Sequence, residues 1–185
     1  MNEAPFLLVD CKTRTMNERD NNIELQAVRE LIVGKDFAGA QELLAPLLRE
    51  QPDNIEALYM SAVCHRYAGE TDQALARLQR LKALEPDHGR AWQEEGHAYR
   101  DSGQTNQALF AYSRATHFNS ALVAAWREQL KILQHAGLDE QARSVKRELT
   151  YIESLPKALV SVIDLLAQRR LLKAEDIVRE VLKKA

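Results

Sequence analysis

The sequence predicts an all-α protein built from about five helical hairpins stacked side by side. Ala40, Ala74, Ala108 and Ala142 lie 34 residues apart, three times running, a period in the range of stacked supersecondary units. Gly69, Gly103 and Gly137 repeat in the same register. The chain is 45% hydrophobic, chiefly Leu and Ala, with 7 Gly and 5 Pro in 185 residues. That leaves little turn material for an all-β fold and favours helix.

The units read along the chain are 21–54, 55–88, 89–122, 123–154 and 155–185, and residues 1–20 match no unit and read as a flexible N-terminal arm. Unit one is irregular: Gly34 stands one place early, and Pro46 falls inside the second helix, where a missing N–H predicts a kink. Units two and three are regular. The best-formed runs from Gly89 to Leu122, with Trp92, Gly96, Tyr99, Gly103, Ala108, Tyr112, Ala115 and Phe118. Gly69, Gly103 and Gly137 are expected to close each first helix in the left-handed conformation. Thr71, Thr105 and Asp139, two residues later, are expected to cap each second helix. The alanine column falls early in that helix and lets paired helices approach to roughly 8–10 Å. Trp92 and Tyr99, two turns apart on one face, fill the gap between neighbours. Pro52 and Pro86 end second helices, a column continued by Ser120. Unit four counts two residues short. Unit five has Arg169 in the glycine place but keeps Ala174, with helices expected near Lys157–Gln168 and Leu171–Lys184.

Composition and motifs exclude several function classes. Net charge is −2, from 25 basic and 27 acidic residues, so no global field draws the chain to nucleic acid or an anionic membrane. Cys11 and Cys64 alone cannot build a structural zinc site or a disulfide framework, which suits a reducing cytoplasm. No apolar run approaches the ~20 residues of a membrane span. The short Phe6-Leu7-Leu8-Val9 patch lacks the basic lead-in of a secretory signal. The glycines are scattered through turns rather than gathered in a phosphate loop. His65, His88, His97, His117 and His135 do not fall at metal-ligand spacing on one helix. Cys64 reads as a packed, inert thiol. Glu94 and Glu95 are adjacent and so point apart on a helix, a poor acid/base pair. No catalytic residue, metal or cofactor is therefore expected, and this chain does not read as an enzyme.

Residues 21–185, with their 34-residue period and their Trp, Gly, Tyr, Gly, Ala, Phe and Pro columns, resemble the tetratricopeptide repeat family. The resemblance implies a right-handed superhelical solenoid whose first helices line a concave groove. It also implies a protein-protein interaction scaffold. On that geometry Tyr59, Arg66, Tyr67, Arg90, His97, Arg100, Arg127 and Lys131 face the groove. Arginine forks grip carboxylates and tyrosines add contact area at low entropic cost. The expected partner is thus a protein or peptide, acidic where it meets the arginines. The bland alternative is a solvated face whose arginines pair with Glu56, Glu94 or Asp101. One subclass of the family clamps the terminal carboxylates of heat-shock chaperones. Its clamp positions hold Leu25, Arg29, Met60, Arg90 and Glu94 here, and only Arg90 keeps the charge, so that role is not implied.

The last unit is apolar on several faces from Ala158 to Ala167, and its second helix carries Ile177, Val178, Val181 and Leu182. Such helices need cover. Two readings follow: the chain is a fragment of a longer protein, or a homodimer forms through this repeat. The run from Leu155 to Glu175 also resembles the repeat arm that precedes a sulfotransferase domain in some bacterial proteins. The alternative function is therefore the N-terminal interaction or oligomerisation arm of a larger bacterial enzyme. The catalytic domain and its phosphosulfate loop are absent from this sequence, so that resemblance implies no activity.

Overall fold

A computed structural model describes residues 24–183. The expected N-terminal arm and Cys11 lie outside the described residues. The chain divides into two compact units, the first running to Arg77 and the second beginning at Leu78. Among the described residues the secondary structure is helical throughout.

The first unit holds α1 (helical over 24–33), α2 (Phe37–Glu50), α3 (Ile55–Tyr67) and the start of α4 (Thr71–Leu84). The second holds the rest of α4, then α5 (Gly89–Asp101), α6 (Thr105–Phe118), α7 (Val123–His135), α8 (Asp139–Ser154), α9 (Lys157–Ala167) and α10 (Leu171–Leu182). These pair in sequence into five hairpins.

All five hairpin turns share one backbone device. Lys35, Gly69, Gly103, Gly137 and Arg169 each carry a positive φ, between 57° and 79°. In each turn the next residue's N–H reaches back to a first-helix carbonyl, as in Glu70 to His65 at 2.9 Å and Arg170 to Leu165 at 2.9 Å. This closes the helix C-terminus and satisfies its orphan carbonyls. The left-handed residue of hairpin one is therefore Lys35 and not Gly34, so the 34-residue register extends to the first repeat. In the fifth, Arg169 takes the same conformation without being glycine. A non-glycine residue there costs about 1 kcal/mol or more. Lys35→Gly is expected to raise stability by about 0.5–1 kcal/mol, read as a shift of the urea midpoint at unchanged m-value.

The capping expectation needs correction. Thr71, Thr105 and Asp139 are the first residues inside α4, α6 and α8 rather than their caps. The residue before each supplies a backbone carbonyl, which accepts from the alanine four places on: Glu70 from Ala74, Gln104 from Ala108, Leu138 from Ala142. Ala40, Ala74 and Ala108 are wholly buried at these positions. Side-chain caps stand elsewhere. Asp36 accepts from the Gly39 N–H at 2.9 Å, Asn54 from Ala57 at 3.0 Å, and His88 Nδ1 from Ala91 at 3.1 Å.

Helix α2 continues through Pro46 to Glu50. First helices begin at residues 55, 89, 123 and 157, so the fourth repeat keeps its full 34 residues. The shortening falls in α9, which has 11 residues where α3, α5 and α7 have 13.

The core of the second unit centres on Ala108, Tyr112, Ala115, Leu122 and Ala125, with Trp92, Tyr99 and Ile132 packed on it. The Tyr112 ring lies where a Cβ on Gly96 would stand 2.6 Å away, so only glycine fits there. The tryptophan column also secures the chain between hairpins. Trp92 Nε1–H donates to the Pro86 carbonyl at 2.8 Å, and Trp126 Nε1–H to Ser120 at 3.0 Å.

Candidate functional site

The sequence-selected residues fall into two sets, one in each compact unit. In the first unit Tyr67 is stacked on Phe37, with centroids 4.6 Å apart and rings 2° from parallel. The Arg66 guanidinium lies 4.1 Å from the Tyr67 centroid, a cation–π contact. Tyr59 is half-buried on α3. Cys64 is fully buried. Burial pushes its thiol up to about 11, so it stays protonated and inert at neutral pH.

In the second unit the cations stand on α5 and α7, and each has an acid beside it. Arg100 meets Asp101 at 2.7 Å and Glu128 at 3.5 Å; Lys131 meets Glu128 at 2.8 Å; Arg127 meets Glu153 at 2.6 Å. Burial alone would raise the Glu128 pKa, but Lys131 and Arg100 outweigh it and hold the carboxyl below its ordinary range. His97 is turned inward. Its Nδ1 shares a 2.7 Å hydrogen bond with the hydroxyl of buried Tyr112. That contact makes His97 part of the hairpin's packing.

Arg90 is placed differently from the other cations. Its Nη2 donates to Asp164 Oδ2 at 2.5 Å. The other oxygen, Oδ1, accepts from Asn119 Nδ2–H at 2.8 Å. A third contact, Arg169 to Asp87 at 2.7 Å, lies at the end of the same hairpin. In a stacked array each repeat touches its neighbours; here the fifth hairpin reaches the third. Sequence reasoning found Arg90 but missed both Asn119 and Asp164. The only available signal for Asp164 was a lone acid in a mostly apolar helix.

The cap of α5 adds a titrating element. Desolvation lowers the His88 pKa below its ordinary 6.5, against the opposing pull of Glu85. The neutral ring is the form that accepts from Ala91. Because the unfolded chain binds the proton first, stability falls as pH drops from about 6.5 toward the lowered value. Asn caps a helix without titrating here, so His88→Asn should lose less melting temperature than wild type between pH 7 and pH 5.

Among the described residues no three His, Cys, Asp or Glu side chains are grouped to hold a metal ion. No helix among them is long and apolar enough to cross a membrane.

Comparison with known proteins bears on these repeats. Residues 34–95 match the tetratricopeptide repeat family model. No curated protein matches in sequence. The crystal structure of MamA is similar over 88% of this chain and 90% of its own, at 18% identity and a TM-score of 0.62. A thermophilic tetratricopeptide-repeat protein of Thermus thermophilus is similar over 89% of this chain and 91% of its own, at 21% identity and a TM-score of 0.60. The structure of Naa15/Naa10 bound to HypK-THB matches 90% of this chain but 25% of its own, at 16% identity and a TM-score of 0.64. At these identities the likeness carries the fold. Residues 34–95 thus carry a tetratricopeptide repeat match within the first three hairpins, and along most of its length the chain shares the all-α helical-repeat fold of these structures.

Proposed function

We propose that this chain is a protein-interaction scaffold that grips an acidic peptide or protein segment through the first helices of hairpins three and four. The observation that carries the reading is the set of Arg100, Arg127 and Lys131 on α5 and α7, whose side chains are 40%, 60% and 63% exposed although ion-paired. Exposed pairs of this kind contribute only about 0–1 kcal/mol each. An incoming carboxylate can therefore exchange for the resident one at small cost, and a guanidinium receives it bidentately. The Naa15/Naa10 complex with HypK-THB, a fold relative, is an assembly of proteins, which supports the same general role here. Reversing the charge of Arg100 and Arg127 to Glu tests the reading. Binding of a fluorescein-labelled Glu-rich peptide should weaken by about tenfold or more, roughly 0.7 kcal/mol per site, and its salt dependence should flatten. Unchanged affinity in the double variant would remove these helices from the binding face.

A further inference from the structure

The Asp164 carboxylate is held at both oxygens by groups that lie 74 and 45 residues away in sequence. Asn119 is only 3% exposed. Its own Oδ1 accepts from the Ala121 N–H at 3.1 Å, which fixes the amide with its NH₂ toward Asp164. Behind it the chain is tight: a Cβ on Gly89 would come within 2.9 Å of the Asn119 Cβ. The amide is thus locked in place. A buried donor of this kind requires an acceptor in front of it. Arg90, on the adjacent helix, adds the charge. Together they form a rigid receptor for one carboxylate.

The element that fills this receptor is poorly embedded. No residue of α9 is buried, although the helix is almost entirely apolar, and Leu159 and Leu166 are 43% and 49% exposed. In α10 only Ala174 is buried. A helix held by full apolar burial would not leave these side chains in water. Beside the half-buried face of α9, the fifth hairpin meets the third through polar contacts at Asp164 and Arg169, and contacts of this kind exchange with competing ions.

We propose that Arg90 and Asn119 form a carboxylate-binding site for an acidic peptide, and that Asp164 occupies it as an internal competitor. This rests on the acidic-peptide reading above and adds to it a site and a control. A peptide Asp or Glu enters only as α9 lifts, so apparent affinity is reduced by the fraction of molecules already open.

The test uses the full chain and a fluorescein-labelled octaglutamate peptide in a titration at low salt. Asp164→Asn keeps the shape of the side chain but removes its charge. It should bind the peptide about tenfold more tightly than wild type, and adding Arg90→Ser should abolish that gain. Peptide binding to wild type should also speed hydrogen exchange of the amides across residues 157–167. If wild type and Asp164→Asn bind equally well, with α9 exchange unchanged, the internal competitor is overturned while the acidic-peptide reading stands. If neither binds, both are overturned.

Discussion

Tyr112→Ala is expected to lower the stability of the second compact unit by about 3–5 kcal/mol, the range for emptying a large aromatic site in a core. Tyr112 is completely buried and lies at the centre of the cluster formed by Ala108, Ala115, Leu122 and Ala125. Three of the four other members of the cluster, Ala108, Ala115 and Ala125, carry only a methyl group and cannot swing in to fill the space. Its carbonyl also accepts from buried Gln129 Nε2–H at 3.1 Å, a link between α6 and α7 that the variant retains in principle. The conservative change separates packing from polarity. Tyr112→Phe keeps the ring and removes only the hydroxyl that His97 shares, so it should cost about 1 kcal/mol. Urea denaturation of both variants reads the difference. A Tyr112→Ala loss no larger than that of Tyr112→Phe would mean that the ring is not the keystone of this unit.

The second large effect is expected at Glu95. Its carboxylate lies 2.6 Å from Lys82 Nζ, and the two side chains are only 10% and 13% exposed. The same ammonium lies 3.7 Å from the Trp92 ring centroid. Two ionic groups so far from water depend on each other. Glu95→Ala leaves a cation with the indole face as its remaining counterpart, at a cost of about 3 kcal/mol. Replacing both partners, Lys82→Met with Glu95→Leu, removes the stranded charge and should recover most of the loss. A double-mutant cycle gives the coupling directly. Coupling under about 0.5 kcal/mol would place this pair with the exposed ones on α5 and α7.

Much of the fold was legible in the sequence because its repeats use residues with narrow structural meaning. An alanine every 34 residues and a glycine at each of three turns have few alternative explanations, and both stand where the spacing placed them. The turns at Lys35 and Arg169 were less legible. There the backbone geometry is imposed by the flanking helices, and the side chain gives no sign of it. The caps were misplaced by one residue because Thr and Asp are common both as caps and in first turns, and only hydrogen bonds separate the two. The candidate site divides in the same way. The cations on α5 and α7 were evident from helical spacing. Their carboxylate partners were legible only in part: Asp101 was, but Glu153 and Asp164 belong to other helices. Which exposed acid meets which base depends on how hairpins meet, and helical periodicity does not contain that information.

The Asp164 contact also bears on the chain as it is made. Hairpins close from neighbouring residues, and loops that join distant ones are slower and entropically costlier. Arg90 and Asn119 leave the ribosome tens of residues ahead of Asp164. For that interval, a few seconds at ordinary elongation rates of about 5–20 residues per second, the nascent scaffold carries its receptor uncovered. A partner present at the ribosome meets a version of the protein that the finished chain holds shut.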